Sequence, residues 1–437
     1  MTSLTAKEIV DLNKEYTFYS WANQGQVNPI PMVKAEGVYF WDADGKRYLD
    51  FASQLVNTNV GHQHPKVVKA IQDQAAKLTF ASPSMATEPR GLLGKKLAEI
   101  SPGDLKKTFF TLGGAEANEN AIKIARFYTG RHKILARYRS YHGATHGAMA
   151  LTGDYRRLPV EPAIPGVVHF LDPYCYRCPF GQNGDRENCC KQCIKHVEEI
   201  IEYEGPDQIA AIFMEGVTGT NGLIIPPDDY WPRIREICDK YGILLVSDEV
   251  MSGWGRTGEW FAVNHWGVVP DIITTAKGIT SGYVPLGAVI VREKIARFFD
   301  DKVLFAGLTY NGHALACAAA LATIEAYEEE KIFENAKKVG KHLGACLEEL
   351  KAKHPSIGDV RYIGLFSGIE LVKNQETKEP MDLTPLKNFL ISNGVYVFNF
   401  KNVLFVVPPL VITEKQLDEG LHLIDEGLAE LMDKQAS

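Results

Sequence analysis

Two residues in this chain have the types and spacing to do covalent chemistry together. Asp248 closes the run Gly242-Ile-Leu-Leu-Val-Ser-Asp248-Glu249-Val250, and Lys277 follows a second apolar run that starts at Asp271-Ile272-Ile273. A short continuous stretch of Ile, Leu and Val after a glycine is the pattern of a buried parallel strand. Open α/β sheets gather their ligand chemistry at the carboxyl ends of such strands. Two neighbouring strand ends would thus present an acid and an amine to one crevice. A lysine that can form a Schiff base and an aspartate that can pair with a pyridinium nitrogen are the parts of a pyridoxal phosphate site. Taken singly, Lys277 could cap a strand at the surface and Asp248 could cap the next helix.

The elements that would position this pair can be read from the pattern. Phe109-Phe110-Thr111 reads as a strand, and Gly113-Gly114-Ala115-Glu116-Ala117-Asn118-Glu119 opens a helical pattern that runs to Tyr128, with Gly130 as its stop. A Gly-rich turn at a helix start offers free N–H groups and the positive dipole end, which suits a phosphate. Gly114 and Ala115 are the candidate donors. His132 to Tyr141 reads as a strand that ends in an aromatic, and Ile209 to Met214 as a buried strand that ends at Glu215. Gly287 to Val291 is a further strand, and Ala314 begins a long Ala-rich helix that ends near Glu330. Val38 to Asp50 alternates around Asp44-Gly45, the pattern of a hairpin with a type I′ turn. Residues 5–20 read as a short charged helix. From about residue 333, amphipathic helices alternate with short strands at 364–372, 395–400 and 403–407.

Residues 244–277 resemble the signature of the class III aminotransferases, the ω-aminotransferase branch of fold-type I pyridoxal phosphate enzymes. The shared features are the apolar pair, Asp248-Glu249-Val250, the Gly255-Arg256-Thr257-Gly258 turn and the spaced Lys277. Further matches extend from about residue 30 to about 412. The resemblance implies an α/β fold: a large domain with a mainly parallel seven-stranded sheet, and a small α+β domain built from both chain ends. The boundaries expected are 1–60 and 333–437 for the small domain and 61–332 for the large one.

The same resemblance implies roles. Lys277 would carry pyridoxal 5′-phosphate and shuttle a proton, and Asp248 would pair with the pyridine nitrogen. Tyr141 would lie flat on the cofactor ring, with His142 after it and Val250 on the opposite face. For Val250, plain core packing is the other reading. Glu215 would orient its neighbours, Glu249 would make a salt bridge or touch the cofactor, and Arg256 would be structural. The family's usual Ser-Gly-Ser/Thr-Glu-Ala-Asn-Glu reads Gly113-Gly114-Ala115 here, so one hydroxyl to the phosphate is missing. Thr309 would reach the phosphate of a neighbouring subunit and Phe80 and Ala81 would cross as well, which implies a homodimer with shared sites. Many relatives carry a mobile arginine about ten residues before Pro408-Pro409-Leu410. Val395 to Lys401 contains none, and Phe398 stands in that place. Tyr19, Trp21 and Val56 would join Phe398 in an apolar substrate pocket. Pyruvate is therefore the expected amino acceptor, from an ω-amino acid, taurine-like or primary amine donor. Aminomutase, racemase or decarboxylase chemistry on the same fold is the alternative, as is a non-catalytic zinc-binding scaffold.

Composition agrees with an enzyme of this size. The chain has 437 residues, 45% hydrophobic and 23% charged, with a formal net charge of -7 that offers nucleic acid no attraction. The N-terminus lacks a signal-like pattern, and Val403 to Ile412 is broken by Pro408-Pro409 and too short to span a bilayer. A cytoplasmic protein without a membrane partner is expected. Five of the eight cysteines crowd into 175–193. Cys175, Cys178, Cys190 and Cys193 have zinc-knuckle spacing, but reduced thiols on an insertion loop are the reading adopted, with no metal in the site.

Overall fold

The central sheet has seven strands in the order Leu105–Thr111, Gly287–Arg292, Ile272–Thr275, Leu244–Asp248, Ile209–Glu215, Lys133–Arg137, Val167–Phe170. The structure, a computed structural model, describes residues 4–181 and 191–436. Only Gly287–Arg292 runs against its neighbours in this sheet. The sequence expectation of a mainly parallel seven-stranded sheet holds.

Successive residues of the inner strands feed two separate cores, as the strand period of two requires. Ile212, Leu245, Ile273 and Ile290 pack with Trp231 and Ile234 on one face. Phe213, Val246, Ile272 and Val289 pack with Ala117 and Ala121 on the other. Both faces are covered, so these strands read as unbroken apolar runs rather than alternating ones. The helix Gly114–Thr129 lies on the second face and ends at Gly130, whose φ of 69° is left-handed. Gly is favoured there because no Cβ clashes with the preceding carbonyl.

The two chain ends meet in smaller sheets. Met32–Glu36, Tyr39–Asp42 and Arg47–Asp50 form an antiparallel set, and Val395–Tyr396 joins Arg47–Asp50 in parallel. Ile357–Ile363, Phe366–Leu371, Val403–Val406 and Asn399–Phe400 form another.

Three local expectations are corrected. The hairpin turn is not type I′, because only Gly45 takes a positive φ, of 84°. The Asp42 carboxylate accepts from the N–H groups of Asp44 at 3.1 Å and Lys46 at 2.8 Å, which holds a wider turn. The strand expected over 132–141 ends at Arg137, four residues before Tyr141. The strand expected over 395–400 is two short pieces in two different sheets.

Candidate active site

The parallel strands deliver their last residues side by side. Glu215 pairs in register with Asp248, and Asp248 with Thr274. These ends open on a cavity of about 470 Å³. Lys277, Asp248, Glu215, Tyr141, His142, Val250, Gly114 and Ala115 all line it. Residues from five separate segments, scattered over more than 160 positions, therefore meet at one sheet edge.

Lys277 sits just past the strand Ile272–Thr275, with φ of 50°. A non-glycine residue in that region costs about 1 kcal/mol or more and is held only where the surroundings demand it. The next residue is Gly278, where a Cβ would stand 2.5 Å from Trp254 Cβ and 2.6 Å from Asn59 Nδ2. The chain thus turns tightly against Trp254 and aims the lysine into the cavity. Burial lowers the Lys277 amine to about 8, against the pull of Asp248 and Glu215, which favour its charged form.

Asp248 is locked in orientation. Its Oδ2 accepts from Asn118 Nδ2 at 2.8 Å and meets His142 Nδ1 at 2.7 Å, and its Oδ1 accepts from the Val250 N–H at 3.0 Å. An ionised carboxylate only accepts, so His142 Nδ1 carries the proton of that bond. Thr274 Oγ1 donates to Asn118 Oδ1 at 2.7 Å, which fixes the amide so that its nitrogen faces Asp248. Asn118 and Thr274 were not singled out by sequence reasoning. Asn118 lies inside the Gly113–Glu119 motif, but its partner is 130 positions away.

The opposite end of the cavity is built for an anion. The helix bond Ala117 N–H to Gly113 O leaves the N–H groups of Gly114, Ala115 and Glu116 at the open helix end. A Cβ on Gly114 would come within 2.8 Å of both Val250 methyls, so Val250 occupies the space a side chain would need. At Gly143, with φ of 133°, a Cβ would stand 2.4 Å from Ala115 Cβ, so this turn also closes tightly. Amine, oriented carboxylate, half-buried tyrosine ring and helix-end donors fit pyridoxal phosphate in each of its chemical parts.

The remaining charged groups divide into braces and candidates for substrate contact. Glu215 is buried, its carboxyl pushed up by desolvation, and its oxygens accept from Tyr141 N–H at 3.1 Å and Gly219 N–H at 2.7 Å. Glu249 makes no salt bridge with any of the described residues. Its carboxyl, pushed up to about 7 by burial, accepts from Ser247, Ser252, Ala262 N–H and Val263 N–H. It braces the loop after the strand and does not line the cavity. Arg256 is fully buried and ties the chain together: it donates to the carbonyls of Leu365 and Pro408 and to Ser53 and Asn59.

A second arginine, Arg156, does not line the cavity itself but packs on the Tyr141 ring, which does. Arg156 Cζ lies 4.1 Å from the centroid of the Tyr141 ring, 5.6 Å from Trp21 and 5.2 Å from Phe400. Asp154 engages its Nε and Nη2, and Asn221 donates to Asp154 at 2.8 Å. Trp21 itself packs edge-on to Tyr141 at 5.9 Å and remains 60% exposed. Sequence reasoning missed Arg156 because it searched for an arginine only near Pro408. Two adjacent arginines, Arg156-Arg157, after Asp154 were the only signal, and nothing local ties them to Tyr141.

Several expected site residues lie elsewhere. Val56 and Phe398 belong to an apolar cluster beside the cavity, where Phe398 stacks on Phe405 at 4.4 Å. Tyr19 is half-buried outside the cavity lining, its N–H bonded to Gln24 Oε1. Lys401, which was not expected in the pocket, reaches over Tyr155 and Phe400 in a neighbouring cleft. Thr309 is exposed and does not line this chain's cavity, nor do Phe80 and Ala81. Phe80 packs on Tyr310 at 5.9 Å, so the two segments share one outer surface. Of the four cysteines with zinc spacing, Cys190 lies outside the described residues.

Comparison with known proteins agrees with this geometry. Residues 20–428 match the family Aminotransferase class-III. The leucine/methionine racemase of Thermococcus litoralis is 41% identical, over 92% of this chain and 91% of the relative. The taurine–pyruvate aminotransferase of Bilophila wadsworthia is 37% identical over 98% of both. Among solved structures, a taurine:2-oxoglutarate aminotransferase from Bifidobacterium kashiwanohense, in complex with PLP and glutamate, superposes with a TM-score of 0.95. It is 44% identical and covers 98% of both chains.

Proposed function

Because the chain belongs to the class-III aminotransferases, and is thus a pyridoxal phosphate-dependent transaminase, we propose that it takes the amino group of a donor with an anionic tail. Taurine-like sulfonates and ω-amino acids are that class. The observation that carries this reading is Arg156, a guanidinium laid on the Tyr141 ring at 4.1 Å. A planar guanidinium pairs with a carboxylate or sulfonate far better than the phenyl rings around it. Asp154 holds its Nε and Nη2, which leaves the Nη1 edge for a substrate oxygen. The relatives named for taurine support the same class.

When bound, the cofactor supplies the electron sink for cleavage at the substrate α-carbon or its equivalent. The protein does the rest. Lys277, with an amine near 8, is the group that attaches the cofactor and moves the substrate proton. Asp248, held by Asn118, His142 and the Val250 N–H, would keep a charge at the pyridine nitrogen. The helix end at Gly114 and Ala115 would hold the phosphate. Tyr141 and Val250 would flank the ring.

The expectation of pyruvate as acceptor rested on the lack of an arginine between Val395 and Lys401. Arg156 changes that premise, since the distal carboxylate of 2-oxoglutarate would find a cation rather than Phe398. We read 2-oxoglutarate as the acceptor the geometry favours. Pyruvate is the second reading, favoured by the prior claim of Asp154 on Arg156. Measuring kcat/KM for both acceptors with taurine decides between them: a tenfold or larger preference for pyruvate would reject the first. Racemisation of an α-amino acid without amino transfer to either acceptor would reject both.

The active unit in this reading is a homodimer. Thr309, Tyr310 and Phe80 form an exposed surface away from this chain's own cavity, and the helix Ala6–Tyr16 buries none of its residues. Both are unsatisfied in a single chain. A cytoplasmic setting belongs to the same reading and rests on the buried thiols of Cys238 and Cys317, which suit a reducing compartment.

A further inference from the structure

Far from the cavity, two long helices near the C-terminus carry a set of side chains that the transaminase chemistry does not use. The helix Ile332–Lys353 and the helix Glu414–Gly427 lie together. Ion pairs give their register: Lys338 meets Glu414 at 3.2 Å, and His342 meets Asp418 at 2.6 Å. Both helices advance by four residues between the two contacts, so they run in the same direction along this seam. One more step of four brings Cys346 and His422 to the same level.

We propose that His342, Cys346 and Asp418, with His422 as fourth ligand, form a binding site for a zinc-like divalent cation. The cation would clip the two helices together. His342 Nε2, Cys346 Sγ and an Asp418 oxygen lie within 4.8 Å of one another, with Sγ to Nε2 at 3.7 Å. A tetrahedral zinc with bonds of about 2.0–2.3 Å separates its ligand atoms by roughly 3.5 Å. The sulfur and imidazole already stand near that spacing. The His342–Asp418 contact of 2.6 Å must open by about 1 Å to admit the ion. The Asp418 side chain is 54% exposed and free to make that move.

The chemistry is selective. A thiolate, imidazoles and one carboxylate make a borderline-soft set that suits zinc, cobalt or cadmium and not magnesium or calcium. His342 and Cys346 share one helix face at i and i+4, as Asp418 and His422 do on the other helix. His422 is 70% exposed and pairs with Glu426 at 3.2 Å, so its imidazole can turn toward Cys346 across solvent. Cys346 sits half-buried against the core, which shields the metal–sulfur bond on its inner side. The site lies in the small C-terminal region, apart from the Lys277 cavity. It shares no ligand with the cysteine-rich stretch at 175–193.

The test is zinc and cobalt binding to the cofactor-loaded enzyme. One equivalent of zinc should bind the wild type and raise its thermal midpoint. Cobalt should give a thiolate-to-metal absorption band. His342→Gln and Cys346→Ser should each weaken binding at least about tenfold, since even loss of a group outside the coordination shell costs that much. Cys346→Ser should also abolish the cobalt band. His422→Gln should weaken binding without removing the band. All three residues are at least partly exposed, and melting curves without metal will show that the variants fold. No binding to the wild type overturns the proposal. So does undiminished binding to the His342→Gln, Cys346→Ser double variant, which would put the metal elsewhere in the chain.

Discussion

Replacing Arg156 by Gln tests the substrate assignment most directly. The guanidinium lies over Tyr141 and is 9% exposed, with Asp154 at 6%. A charge-assisted hydrogen bond to a substrate anion contributes about 1.5–3 kcal/mol, which is roughly 10- to 150-fold in kcat/KM. The loss should fall on taurine, ω-amino acids and 2-oxoglutarate. A primary amine without an anionic tail, paired with pyruvate, gains nothing from Arg156 and should change less than about threefold. Removing the cation also leaves Asp154 with Asn221 as its remaining side-chain partner, and a buried unpaired carboxylate could disturb the loop by itself. The Asp154→Asn, Arg156→Gln double variant removes that charge. Its donor profile should match that of Arg156→Gln. Arg156→Lys should recover part of the rate but not the preference, because an ammonium lacks the planar fork. Steady-state rates with three donors and two acceptors provide the data. Equal losses for tailed and tail-less amines would refute the reasoning and make Arg156 a prop for Tyr141.

Three further outcomes are expected. Lys277→Ala should lose the visible absorbance of the lysine-bound cofactor and multiple-turnover transamination together; wild-type turnover would mean that another lysine does this work. The rate at which apoenzyme captures cofactor should rise about tenfold per pH unit up to pH 8 and then level, because only the neutral Lys277 amine attacks and its ammonium form is already lost above that value; a rate that still climbs at pH 10 would show an unshifted lysine. Thr309→Ala should speed cofactor loss on dilution while sparing the isolated chain's fold, and sedimentation should find a dimer; an active monomer would contradict the shared site.

That Asp248 and Lys277 meet at one cavity was legible in the chain itself. Asp248 and Lys277 each follow an apolar run, and strand ends are where such sheets bind ligands, so a local pattern sufficed to place them. The same holds for the helix that begins at Gly114 and stops at Gly130, where turn chemistry is written in the residues. The type I′ turn failed because Asp42 captures two backbone donors, a side-chain effect that the Asp44-Gly45 pair does not reveal. What surrounds the pair was decided only in three dimensions. Asn118 and Thr274 orient Asp248 from another helix and another strand, and their hydrogen bonds span 130 and 156 positions. Phe398 was expected in the pocket and packs on Phe405 instead, because burial of two rings outweighs exposure of one to a polar cavity. Arg156 meets Tyr141 from the short helical turn Tyr155–Val160, a contact that nothing in the chain between them announces. Hydrophobic period and turn residues are properties of neighbours in the chain, whereas the choice of partner for a guanidinium or an amide is made by whichever surfaces the folded sheet brings together.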